Sequence, residues 1–275
     1  MLLKIIAALV GILVLLIGGG WVGLQAASPS FPMLKLVSKD LGTMPIPASL
    51  PAPVQRYART LFGEQVPVVE SAIMTGRAKV RFNGLTMQAR FKFTYEVARG
   101  HYHHIQATWF GVPLFTVNER FLDGQAILDI PGQHVENDPH TNHAASQGFW
   151  AEAFMSMPSV FITDPRLRWE AIDDTSARLI VPGTDAEEAF IVGFDPETGL
   201  VATLTTQRYQ DAQGPRHSWN NRIVKWGKVN GILTPIQAET QWDNDPPWAI
   251  WQVEQIVYNV PVAKRMNQFG GEVEG

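Results

Sequence analysis

Two alternating runs on either side of Asn83-Gly84 constrain this chain more than any other stretch of it. Leu85, Met87, Ala89, Phe91, Phe93, Tyr95 and Val97 alternate with Thr86, Gln88, Arg90, Lys92, Thr94 and Glu96. Period two sustained this long is a strand with one covered face and one polar face. Asn-Gly is the strongest short signal for a two-residue hairpin turn. Such a turn pairs Phe82 with Leu85, Val80 with Met87 and Ala78 with Ala89, all apolar. It sets Arg81 opposite Thr86 and Lys79 opposite Gln88 on the other face. The register implied by the turn and that implied by the pattern agree, and a slip of one residue would break both. The fold must therefore contain an antiparallel sheet with one buried face.

Further strands follow at meander spacing: 101–110, 113–122 and 125–130, then 167–172, 177–181, 189–194, 200–209, 220–226, 232–242 and 248–258. Asp123-Gly124 and Asn230-Gly231 supply turns. The expectation is about eleven strands in one sheet. A one-faced sheet of that size must curl, close or be plugged. Two segments can plug it. Residues 50–62 read as a short helix with Pro51 and Pro53 in its first turn, an apolar stripe through Val54, Tyr57, Ala58, Leu61 and Phe62, and Gly63 as its stop. Residues 147–161 read as a central helix. Phe149, Trp150, Ala153, Phe154, Met157, Val160 and Phe161 recur at helical spacing, Ser146 can cap the start, Pro158 breaks the helix, and Asp164-Pro165 turns into the next strand. The expected fold is mainly β: a curved antiparallel sheet, an open half-barrel, plugged by that helix.

Residues 5–24 carry no charge and, as a helix, match the ~30 Å hydrocarbon core of a bilayer. Trp21 suits an interface. A cleaved signal peptide would need a small-x-small site, and the pattern is poor around Ala26 and Ala27. The short tail with Lys4 argues that the N-terminus lies inside, while Lys35 and Lys39 argue the reverse. The expected organisation is an anchor over 1–27, a proline-rich stalk over 28–49 holding the domain off the bilayer, the half-barrel over 50–262, and a polar tail over 263–275. Residues 33–41 could form a short amphipathic turn on the membrane surface. The expected place is the bacterial cytoplasmic membrane, single-pass, with the domain on the periplasmic or extracellular side.

The net charge of −4 gives no basic footprint for nucleic acid, and the chain has no Cys. That excludes disulfides, thiolate metal sites, a Cys nucleophile and lipoprotein-type acylation. No G-x-S-x-G, phosphate-binding glycine loop or G-x-G-x-x-G occurs, so no enzyme class and no cofactor is indicated.

Several short motifs in order resemble an uncharacterised bacterial family known only as a domain of unknown function. They are Leu50-Pro51-Ala52-Pro53-Val54-Gln55-Arg56-Tyr57, Asp123-Gly124 after a strand with Asn118 and Phe121, Glu152, Pro158, Leu167-Arg168-Trp169, Asp173, Ala177, Phe194-Asp195, Arg208-Tyr209, Gly231 and Pro235. The resemblance spans residues 50–259 and implies no catalytic residue. The architecture is in turn similar to lipoprotein-carrier-like half-barrels, which implies an acyl chain bound in the concave face. The histidine-rich loop departs from the family pattern, so a metal role there would be particular to this chain.

Phe149, Trp150, Phe154, Met157 and Phe161 are the residues expected to line a hydrophobic cavity, unless they simply fill the core. Glu152 lies among them. It could hold a polar headgroup or act as an acid or base with a raised pKa, or it could point to solvent or pair with Arg166 or Arg168. Imidazoles and carboxylates can bind zinc or copper. His134, His140 and His143 are the candidates in the loop, and His101 and His103 share one strand face, yet without a helical H-E-x-x-H or a known spacing both sets read rather as solvated loop and strand-end residues with no shared geometry. Arg77, Lys79, Arg81, Arg90 and Lys92 should cluster on the polar face of the first hairpin, as a headgroup or partner patch or as an ordinary wet face. Asp243-Asn244-Asp245 reads as a turn, since it lacks the Gly and distal Glu of a calcium loop. The leading expectation is a membrane-anchored domain that binds a lipid or lipidated segment. An envelope scaffold with a protein partner, or a metal-dependent enzyme using the histidine loop, are the alternatives.

Overall fold

The computed structural model describes residues 1–82, 84–185, 187–229 and 231–269. Helix α1 (Leu2–Gln25) leads to strand β1 (Thr43–Pro45), helix α2 (Ala52–Phe62) and strand β2 (Gln65–Pro67). A meander follows: β3 (Ser71–Phe82), β4 (Leu85–Glu96), β5 (Gly100–Trp109), β6 (Val112–Leu122), β7 (Gln125–Ile130) and β8 (Gln133–Glu136). Helices α3 (Pro139–Ser156) and α4 (Val160–Thr163) interrupt it. Then come β9 (Arg168–Ala171), β10 (Ser176–Ile180), β11 (Phe190–Phe194), β12 (Val201–Tyr209), β13 (Arg216–Val229), β14 (Ile232–Trp242), β15 (Ala249–Tyr258) and helix α5 (Ala263–Asn267).

β1 and β2 form a small ribbon, and the other strands form one antiparallel sheet of thirteen, in the order β8-β7-β6-β5-β4-β3-β15-β14-β13-β12-β11-β10-β9. The chain thus walks from the middle to one edge and crosses to the other edge through α3 and α4. It then walks back until β15 pairs with β3. The hairpin register read from the sequence is the one observed: Phe82 pairs with Leu85, Val80 with Met87, Ala78 with Ala89, Arg81 with Thr86 and Lys79 with Gln88. Asn83 and Asn230, the expected first residues of two turns, lie outside the described residues. Register shifts near Thr108, Gly193, Lys225 and Glu254 mark irregularities of the kind that bend strands and tighten twist. The sheet stays open, with β8 and β9 as edges, and its concave side wraps α3.

Several boundaries correct the sequence reading. β3 starts at Ser71 because its first six residues are buried and so show no alternation. The polar loop before the central helix is β8 plus two turns of helix. Asp138, not Ser146, caps α3, accepting from the Thr141 N–H at 2.8 Å. α3 is also not one-faced. From Ala144 to Ser156 every residue but Ser146 and Glu152 is buried, because the sheet curls around it. Phe149, Trp150, Phe154, Met157 and Phe161 belong to one core cluster with Tyr57, Phe91, Phe93 and Tyr95.

The expected stalk does not stand free. Its prolines deny it regular structure, and its apolar side chains find the convex face instead. The Ser28 and Thr108 hydroxyls meet at 2.6 Å. Phe31 lies under Arg90 at 4.4 Å and Lys92 at 4.9 Å. Leu34 donates to and accepts from the Gln255 amide at 2.9 and 3.1 Å. Leu34 and Leu36 cover a second core cluster of Ile73, Tyr102, Val257, Val260, Val262 and Met266. No amphipathic turn forms over 33–41. The basic residues of the first hairpin do share this face, and the strap covers part of it. Residues 263–267 are helical rather than a loose polar tail, with Arg265 and Met266 buried.

α1 is the single candidate for a membrane span among the described residues, from Lys4 to Gln25 with a mean hydropathy of 2.6. Its C-terminal end meets the tip of the β5–β6 hairpin: the Trp109 indole donates to the Gly20 carbonyl at 3.2 Å and the Phe110 N–H to the Gly23 carbonyl at 2.8 Å. Gly23 permits that approach, since a Cβ there would lie 2.1 Å from Trp109 Nε1.

Candidate functional site

Alternation along β5 sends Tyr102 and His104 to the convex face and His101 and His103 to the concave one. Tyr102 and His104 share Asn118 Oδ1 at 2.9 and 2.8 Å. Inside, His101 and His103 stack with ring centroids 3.9 Å apart. β4 places Phe93 opposite His103 and Tyr95 opposite His101. β6 places Glu119 opposite His103.

Polar groups converge here against an apolar wall. His101 Nε2 lies 2.9 Å from Glu119 Oε1, and His103 Nδ1 lies 4.0 Å from the same atom. Glu152 reaches the cluster from the helix side. Its Oε2 is 2.6 Å from His103 Nε2 and accepts from the Tyr95 hydroxyl at 3.1 Å. Arg208 on β12 donates to the Ala144 carbonyl at 2.9 Å and spreads over Trp219 at 4.3 Å. Burial raises the Glu119 carboxyl, but the hydrogen bond from His101 and the charges of His101, His103 and Arg208 outweigh it and bring it down to about 2. Burial lowers His101, with His103 adding to the effect. Burial and Glu152 together hold Tyr95 well above its ordinary value, so it stays a donor. Burial also lowers Arg208, opposed by Glu119 and Glu152.

A cleft of about 210 Å³ opens onto this cluster. Glu119 and Arg208 lie in its lining with Leu128, Ile130, Val135, His140, Ala144 and Tyr209. A second, larger concavity of about 860 Å³ lies at the end of the sheet away from α1. Met44, Val68, Val69, Val97, Val160, Val260 and Val262 line it, with Glu70, Glu96 and Arg166 among its polar residues.

The six residues expected to bind a ligand separate. Phe149, Trp150, Phe154, Met157 and Phe161 pack on one another and line neither concavity; the Phe154 and Phe161 rings stack at 3.6 Å. Glu152 joins the polar cluster, paired with His103 and Tyr95 rather than with Arg166, which holds Asp164 at 2.6 Å, or Arg168, which is near Glu170 at 3.5 Å. The loop histidines do not form one group, although His140 and His143 both lie against Tyr209. His134 is exposed and pairs with Asp129. His140 stacks on Tyr209 at 3.8 Å, and His143 meets Glu188 at 2.9 Å. Among the described residues, the histidine-carboxylate group with close ligand atoms is His101, His103 and Glu119, all within 4.8 Å. Sequence reasoning missed Tyr95, Glu119 and Arg208 as members. A signal for Glu119 existed: it interrupts the apolar run Phe115, Val117, Phe121 at period two.

Fold and site together define an open, strongly curved antiparallel sheet closed over a buried helix, with a histidine–carboxylate cluster inside. The chain belongs to the family of unknown function DUF6544, whose model matches residues 43–253. No curated protein matches it. Among solved structures it is similar to a putative outer membrane lipoprotein-sorting protein domain from Vibrio parahaemolyticus, with 8% identity, 78% of this chain and 94% of that one covered, and a TM-score of 0.46. It is also similar to a LolA superfamily protein from Nitrosomonas europaea, at 9% identity, 78% and 96% coverage and a TM-score of 0.43. A DUF1329 family protein from Desulfovibrio piger gives 11% identity, 73% and 90% coverage and a TM-score of 0.43.

Proposed function

We propose that this chain is a membrane-tethered envelope domain that binds a lipid acyl chain or lipidated segment. The 860 Å³ concavity lined by six valines and Met44 carries that reading. Its volume is in the range of sites that bury small apolar ligands. In this reading α1 spans the cytoplasmic membrane with Lys4 inside, and the domain stands outside. The Gln25 amide donates to the Thr86 carbonyl at one end of β4, and Glu96 at the other end lines the concavity. Ten residue steps at about 3.3 Å put the opening roughly 30 Å from the end of the anchor. A ligand there is presented away from the bilayer, as transfer to a partner in the envelope would require. Val160, in the wall of the concavity, belongs to the same core cluster as Met157 and Phe161, so that wall is backed by packed side chains.

The test is native mass spectrometry of the full chain, purified in mild detergent, with a fluorescent C18 fatty acid as added probe. A lipid mass that survives detergent removal and is lost in Val68→Asp and Val97→Asp supports the reading. A bare polypeptide that also fails to bind the fatty acid refutes it.

A further inference from the structure

Two imidazoles at i and i+2 of one strand project from the same face. Here a carboxylate stands directly across the ladder from the second of them, since His103 and Glu119 are register partners. One ligand atom from each of His101, His103 and Glu119 lies within 4.8 Å of the others. Two imidazole nitrogens and a carboxylate oxygen suit borderline divalent ions, and three protein ligands leave a position for water. Calcium and magnesium call for oxygen donors throughout.

The surroundings of these three residues are those of a ligand set. A metal-bound histidine usually donates its other ring N–H to a carboxylate, which fixes its tautomer and orientation. Around His103 a carboxylate is at hand: Nε2 lies 2.6 Å from Glu152 in an ion-pair contact that lacks hydrogen-bond geometry, Nδ1 is on the Glu119 side, and Glu152 is itself held by Tyr95. His101 is fully buried, and its Nδ1 has no hydrogen-bond partner among the described residues. Buried polar atoms without partners are uncommon where a side chain serves only as packing. The charges also leave room for a cation. Glu119 and Glu152 face the single guanidinium of Arg208, an excess of one negative charge when the imidazoles are counted as neutral. The 210 Å³ cleft reaches Glu119 from outside, which supplies an entry path.

We propose that His101, His103 and Glu119 bind one divalent transition-metal ion of the zinc class, with Glu152 orienting His103. The site is independent of the apolar concavity at the far end of the sheet and stands or falls without it. The loop histidines His134 and His140 take no part.

The experiment uses the full chain in mild detergent, stripped with chelator and titrated with Co²⁺, whose visible absorption reports its ligands, then with Zn²⁺ in competition. One equivalent of Co²⁺ with a saturable visible band, displaced by Zn²⁺, is expected. Glu152→Gln should keep the band and weaken binding about 10- to 100-fold. Glu119→Gln should lose saturable binding, with near-UV circular dichroism showing the fold retained. His134→Ala and His140→Ala should bind as the unaltered chain does. Absence of a saturable equivalent in the unaltered chain overturns the proposal. So does binding that Glu119→Gln keeps, or that His134→Ala or His140→Ala abolishes. Should Glu119→Gln not fold, the Glu152→Gln weakening and the indifference of the loop variants decide the matter.

Discussion

Phe154→Ala asks directly whether the aromatic residues of α3 fill a core or line a hollow. Phe154 is 1% exposed, stacked on Phe161 at 3.6 Å and facing Tyr57 at 6.4 Å. It therefore ties α3 to both α4 and α2. Truncating a buried Phe costs about 3–5 kcal/mol, through lost transfer energy and the cavity left behind. The neighbours cannot easily collapse into that cavity, because Tyr57 is fully buried and also faces Phe194 and Trp226. A value of about 4 kcal/mol is reasonable, and in a domain of this size each kcal/mol shifts Tm by roughly 2–4 °C. The expected fall is then about 8–16 °C. Near-UV circular dichroism during heating is the right assay, since it reports aromatic packing, whereas a far-UV signal also carries α1 in its micelle. Fatty-acid binding below the transition should survive in this variant. A Tm within about 3 °C of the unaltered chain, together with loss of fatty-acid binding, would refute the packed-core argument and show that Phe154 faces a hollow.

Two more predictions rest on local geometry. Asp138→Ala removes the side chain that caps α3 and should cost about 0.5–2 kcal/mol in chemical denaturation, while Asp138→Asn keeps the cap and costs less. The Thr141 N–H holds the Asp138 carboxyl below its ordinary value of 3.8, so its charge stabilises the fold above that pH and the benefit is lost on further acidification; Asp138→Asn should flatten that part of the acid limb, and an unchanged limb would count against the cap. Gly100 has φ +140°, and a Cβ there would lie 1.9 Å from the Phe121 carbonyl oxygen. Gly100→Ala should thus disturb the start of β5 and the pairing next to His101, read as a lower Tm, whereas Gly84→Ala, where a Cβ meets nothing, should bear only the cost of its positive φ.

Much of the fold was legible because its local signals were not in conflict. The β3–β4 register, Gly63 as the stop of α2 and Pro158 as the break after α3 follow from steric rules that act over a few residues. Legibility failed where both faces of an element are covered. Residues 71–76 of β3 and 101–104 of β5 are buried on both sides, so polar and apolar side chains no longer alternate. The polar run before α3 hid β8 and the Asp138 cap, because short polar strands and helix starts share their composition with loops. The strap over 28–42 read as a free stalk because its partners, Thr108, Arg90, Gln255 and Asn259, are distant in sequence.

The sequence by itself determined that the protein is built on an antiparallel sheet with a greasy helix inside and an apolar segment long enough to span a bilayer. Periodicity, turn chemistry and length are properties of neighbouring residues. Tertiary structure alone decided what the polar residues of the covered face do. His101 and His103 are two residues apart, but Tyr95 and Glu119 come from the flanking strands, Glu152 from the crossing helix and Arg208 from the other half of the sheet. Strand pairing places Tyr95 and Glu119 beside the histidines, but only curvature brings Glu152 and Arg208 to them, and curvature is set by the packing of the whole sheet around α3 rather than by any local stretch.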